Sequence, residues 1–218
     1  MTRTTRIAGA LAVTLAAAAF GGGAMAQDQV TLEAKAKVDA IAYHDTWREL
    51  WEDHVTWTRI VILAVVNDLP GTDAYVDRLI DNYEDMEDAL APYFKHDDVE
   101  ELGDLIQEHL VQAKQILDTV KAGGDPTALI AAWRDNGTEI ATQMSHMSSN
   151  WPFAEANEMW QEHLTATLDE ATAEFDGNFE EAVAAYDDVS DMAHQMADFF
   201  SDGIIRGKAK FKRENCTP

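Results

Sequence analysis

The chain has 218 residues, 40 of them acidic against 16 basic, for a formal charge of −24. So acidic a surface repels phosphate backbones and anionic lipid headgroups, which argues against nucleic-acid binding and electrostatic membrane attachment and favours cations as partners. A single cysteine, Cys216, has no second cysteine to pair with in the chain, so packing must supply the stability.

Residues 1–26 read as a cleavable signal peptide. Arg3 and Arg6 precede an apolar run from Ile7 to Phe20, and Ala24-Met25-Ala26 forms a small-x-small cleavage site. The run is short and ends in three glycines, below the ~18 uninterrupted apolar residues of a membrane span. The expected product is a periplasmic or secreted protein, not inserted in the membrane after signal cleavage. Its domain spans 27–206 and is followed by a basic tail, 207–218. Loss of Arg3 and Arg6 leaves 14 basic against 40 acidic residues, a charge of −26.

Helix-forming stretches rich in Ala, Leu, Glu and Asp fill the domain, punctuated by proline and glycine. Helices are predicted over 31–67, 73–94, 98–122, 126–147, 154–174 and 178–206. No alternating β-branched run is long enough for a strand. The predicted class is all-α.

An internal repeat organises these helices. Asp53-His54-Val55, Glu108-His109-Leu110 and Glu162-His163-Leu164 share one pattern, 55 residues apart at the first step and 54 at the second. Each precedes a turn and a second helix, so the predicted architecture is a bundle of three repeated antiparallel helix hairpins. Asn82 and Asn136 follow their histidines by 28 and 27 residues, whereas Asp187 and Asp188 stand near that place in the third unit. His54 shares a helical stripe with Trp47, Leu50, Trp57 and Val61, and His109 with Leu102, Leu105, Ile106 and Ile116, so both are predicted to face inward. The six tryptophans read as packing residues.

Counting outward from each turn sets His54 opposite Asp85, His109 opposite Glu139, and His163 opposite Ser190 to Asp191. The first helices of repeated hairpins run parallel, which brings the three histidines to one level. Three neutral imidazoles with carboxylates behind them suit a divalent transition metal such as zinc, copper or iron. The candidate metal residues are His54, His109, His163, Asp85, Glu139 and Asp198. Asp198 enters as the i+4 partner of His194, and Arg59 as a structural partner to one of the acids. A structural alternative has each histidine hydrogen-bonded to a facing Asp, Glu or Asn to fix hairpin register, in a structural or interaction module without metal. A second, softer set is Met144, His146 and Met147 with Met192, His194 and Met196, a combination suited to copper(I) or to core packing. His44 and His96 receive no role.

Motifs for nucleophilic catalysis, phosphate cradling and HExxH zinc chemistry are missing from the sequence. An enzyme of unknown type using the same polar line is a further alternative.

The run LWEDHVTWTRIVILAVVNDLP, then RLIDN, EHL, AAWRDNGTEI, NWP, EHLTATLDEA and MADFFSDGII, resembles a family of small bacterial all-helical proteins without established activity. Genomes often label them glycosyltransferase or acetylglutamate kinase. The resemblance spans roughly 45–206. It draws attention to His54, Trp57, Arg59, Asn82, Asp85, His109, Trp133, Asn136, Trp151, His163 and Asp198. Both labels imply α/β folds whose strand ends and glycine-rich turns hold phosphates, and this sequence offers neither.

Overall fold

The computed structural model describes residues 21–208, with side chains described at residue 37 and from residue 39 onward. The first 20 residues of the expected signal peptide, most of the basic tail and Cys216 lie outside the described residues.

Six helices follow one another: α1 (Gly21–Val66), α2 (Thr72–Leu90), α3 (His96–Lys121), α4 (Thr127–Met147), α5 (Phe153–Asp176) and α6 (Phe179–Gly207). No strand occurs among the described residues, and the class is all-α. Two boundaries differ from expectation. α1 begins ten residues earlier than predicted and runs through Ala26, because Ala24 to Ala36 is rich in strong helix formers. α2 stops at Leu90, short of residue 94, because Pro92 has no amide hydrogen to continue the ladder.

Each helix packs on its neighbours in sequence, and α1 packs on α6, so the six close into a bundle. Neighbours are antiparallel: the Tyr43 hydroxyl donates to the Ala89 carbonyl near one end of the α1–α2 pair, while Arg78 donates to Asp53 nearer the other. α1 also touches α3 and α5, so these three parallel helices supply the interior.

The turns after α1, α3 and α5 are built alike. Asp68, Gly123 and Gly177 take positive φ of 52°, 74° and 74°. In each turn the next amide reaches back to a carbonyl of the last helical turn, Leu69 to Ala64, Gly124 to Thr119 and Asn178 to Ala173, all at 2.9 Å. This left-handed cap satisfies carbonyls that the helix end strands. The three caps keep the 55- and 54-residue steps of the histidines.

The core has an aromatic and an aliphatic part. Trp47, Trp51, Trp151, Trp160 and Phe200 fill one half with Leu102, Ile106 and Met196. Val61, Ile62, Val65, Leu79, Leu110 and Leu117 fill the other. Each buried tryptophan is worth about 3–5 kcal/mol against truncation to alanine. α6 gives way to Trp151 at Gly203, where any Cβ would collide with the indole. No helix among the described residues is long and apolar enough to cross a membrane.

Candidate metal centre

His54 on α1, His109 on α3 and His163 on α5 meet in the bundle interior. Each is buried, with 1–2% of its surface exposed. The ring centroids lie 6.5 Å apart for His54 and His109, 5.7 Å for His54 and His163, and 6.2 Å for His109 and His163. One ring nitrogen from each comes within 4.8 Å of the other two. An ion at the middle of such a triangle stands at most about 2.8 Å from each nitrogen, so bonds of ~2.0–2.1 Å need only sub-ångström movements. Among the described residues this is the only group of three or more His, Cys, Asp or Glu side chains so arranged.

Indole rings wall the layer. Trp51 lies 5.1 Å from His54 and 5.9 Å from His163, and Trp160 lies 5.4 Å from His109 and 6.0 Å from His163. Trp133 stacks on His109 at 4.9 Å while its indole nitrogen donates to the His109 carbonyl. The tryptophans therefore pack, as expected, and they also cover part of the imidazole layer.

Burial keeps the rings neutral. Desolvation pushes His54 down to about 4 from 6.5, and the hydrogen bond to Asn82 opposes it only in part. His163 is pushed down to about 3 by burial and then by the neighbouring His54. His109 falls well below the ordinary range, from burial first and then from His163 and His54. A neutral imidazole keeps one lone pair, which is what a metal needs.

Asparagines orient two of the rings. Asn82 Nδ2 donates to the Leu50 carbonyl, so its Oδ1 faces His54 Nδ1 at 3.1 Å and accepts from it. The proton thus sits on Nδ1, leaving Nε2 with the lone pair. Asn136 repeats the arrangement with Nδ2 on the Leu105 carbonyl. Asn136 also raises the proton affinity of His109, yet Asn136 Oδ1 and His109 Nδ1 stop short of a complete hydrogen bond. His163 has no asparagine, and its Nδ1 is buried without a partner among the described residues.

The expected supporting carboxylates lie elsewhere. Asp85 and Glu139 are exposed, three residues beyond the inward-facing Asn82 and Asn136, and Asp85 lies 3.7 Å from Arg78. The amide is favoured at the inward position because burying a carboxylate beside neutral imidazoles would cost several kcal/mol. Asp198 binds His44 at 2.8 Å and Arg48 at 3.0 Å, and His194 binds Glu52 at 3.0 Å, so the expected His194–Asp198 pair does not form. Ser190 is half-buried and Asp191 exposed, with neither in the histidine group. Arg59 meets none of the three expected acids; it binds Glu170 at 2.7 Å and Glu174 at 3.6 Å.

The sulfur-rich set is dispersed. Met144 is buried and accepts a hydrogen bond from Trp160 at 3.4 Å, while His146 is exposed. Met196 is core, and His194 turns to Glu52. The structural alternative, a histidine hydrogen-bonded to a facing Asp, Glu or Asn, anticipates the His54–Asn82 bond, whereas the metal reading names carboxylates in that place. Sequence reasoning missed Thr58 and Thr167, whose positions four residues after His54 and His163 were the available signal.

Comparison with protein-family models, curated proteins and solved structures returns no match.

Proposed function

We propose that this chain is a metal-binding helical bundle in which His54, His109 and His163 are the three protein ligands of one transition-metal ion, zinc, copper or iron. The observation that carries the reading is the convergence of three buried, neutral imidazoles with nitrogens within 4.8 Å. Hydrogen bonding from His54 Nδ1 to Asn82 supports it, because that bond presets the tautomer a ligand needs. The identical caps after α1, α3 and α5 support a descent from three repeated antiparallel hairpins, with one ligand per hairpin. The basic front, apolar run and Ala24-Met25-Ala26 favour export to the periplasm or beyond.

Chelator-treated protein titrated separately with zinc, copper and iron should take up one equivalent of at least one of them. It should melt higher in its presence, by the equivalent of about 2.7 kcal/mol at a hundredfold excess over Kd. The His54→Ala, His109→Ala, His163→Ala variant should lose that uptake. If none of the three metals binds stoichiometrically, or if the triple variant binds as tightly, the histidines are structural and the bundle is a packing or interaction module.

A further inference from the structure

We propose that the fourth coordination position of the ion opens into an apolar cavity and takes a neutral diatomic ligand. This rests on the three-histidine reading above. One side of the triad is closed by the rings of Trp51 and Trp160. On another side all three histidines border a cavity of ≈ 20 Å³, lined further by Thr58, Val61, Leu79, Leu110, Leu117 and Thr167. A second cavity of ≈ 30 Å³ lies beside it, with Thr58, Ala113, Leu117, Trp133 and Thr167 lining both. A void of ~10–15 Å³ already accommodates a water-sized occupant. The two cavities are too small for a metabolite.

The lining favours a small, weakly hydrated occupant. Thr58 donates its hydroxyl hydrogen to the His54 carbonyl at 2.8 Å, and Thr167 donates to the His163 carbonyl at 2.9 Å. Both oxygens therefore present acceptors, not donors, to the cavity. Lys114, the cation of the lining, is engaged by Asp118 at 2.6 Å. A neutral diatomic gives up almost no hydration on entering so small and largely apolar a space. Water, with two hydrogens to donate to the threonine oxygens, would occupy the position at rest, and acceptors favour bound water over hydroxide. The half-buried Val76, Ile80 and Ala113 border the cavity between α2 and α3 and mark the route in.

The test uses the full chain loaded with copper(I), with metal content measured and carbon monoxide as the infrared-visible diatomic. One metal-bound carbonyl band is expected. Ala113→Phe, which fills the cavity from α3, should retain the copper and weaken carbon monoxide binding at least tenfold. Leu117→Trp should do the same if the first variant fails to fold by circular dichroism. Stoichiometric copper without a carbonyl band, or carbon monoxide binding undiminished in the folded variants, would each overturn the cavity proposal and leave the metal site standing. Failure to hold copper, zinc and iron alike would overturn the three-histidine reading itself.

Discussion

Two polar groups in the interior share helices α1 and α5 and are stabilised by opposite means. In the first, His54, His109 and His163 are kept uncharged and turned toward one another. In the second, Arg59 of α1 holds Glu170 and Glu174 of α5, its guanidinium 4.7 Å from the centroid of the Tyr186 ring. Glu170 is fully buried and, although Arg59 opposes it, burial raises its carboxyl to about 7. The charged group is tied across the helices by its own ion pairs, with only Glu170 Oε2 left over, so it reads as structure. The neutral group leaves lone pairs unused, so it reads as a place for something to bind.

The sharpest way to break the comparison is to remove the cation from the charged group. Arg59→Leu leaves Glu170 and Glu174 buried without their partner and should destabilise the fold by about 3–5 kcal/mol in urea unfolding. A loss below ~1 kcal/mol would mean that the cluster is open to water and the contrast is false.

Acid separates the two groups next. The unfolded histidines titrate at 6.5, whereas folded His54 and His163 hold out to about 4 and 3. Their contribution is therefore fully present above pH 6.5 and is lost as pH falls below it, by about 1.4 kcal/mol per pH unit for each ring. Glu170 runs the other way: raised from 4.5 to about 7, it contributes most below 4.5 and loses that contribution as pH rises through 7. Between 6.5 and 4.5 the two trends oppose each other. Metal-free Glu170→Gln should accordingly lose stability more steeply on acidification than the parent, and an unchanged slope in urea midpoints across this range would contradict the assignment.

Within the neutral group the asparagines grade the effect. Asn82→Leu strands His54 Nδ1 and should cost about 1–3 kcal/mol in the metal-free protein. Asn136→Leu should cost less, because the bond it removes at His109 is incomplete. Equal losses would show that both asparagines act through their donations to Leu50 and Leu105 instead.

What the sequence disclosed, and what it did not, follows the same division. The convergence of His54, His109 and His163 was legible because a 54- to 55-residue step copies both the stripe position and the turn that sets helix height. Asp85 and Glu139 were chosen over Asn82 and Asn136 because counting from a turn centre resolves height only to about one helical turn. Two candidates one turn apart are separated by desolvation, which pattern alone does not weigh. The pairing of Arg59 with Glu170 was not legible: it joins α1 to α5, 111 residues apart, and neither repeat nor local offset relates them.

The smallest expected effect is the most discriminating. His163 lacks the asparagine of its counterparts, and its Nδ1 is buried without a partner among the described residues. An orphaned polar atom contributes nothing to the fold and its desolvation is a penalty, so an apolar side chain of similar volume could stand here at little cost. His163→Leu in metal-free protein should therefore shift stability by less than about 1.5 kcal/mol in either direction, the range of near-isosteric core exchanges. The same variant should lose stoichiometric metal, because two imidazoles in a dry pocket leave the ion short of protein ligands. A ring that folding can spare and binding cannot has been kept for the ligand; a loss above ~3 kcal/mol with metal uptake intact would place His163 with Arg59 among the structural groups.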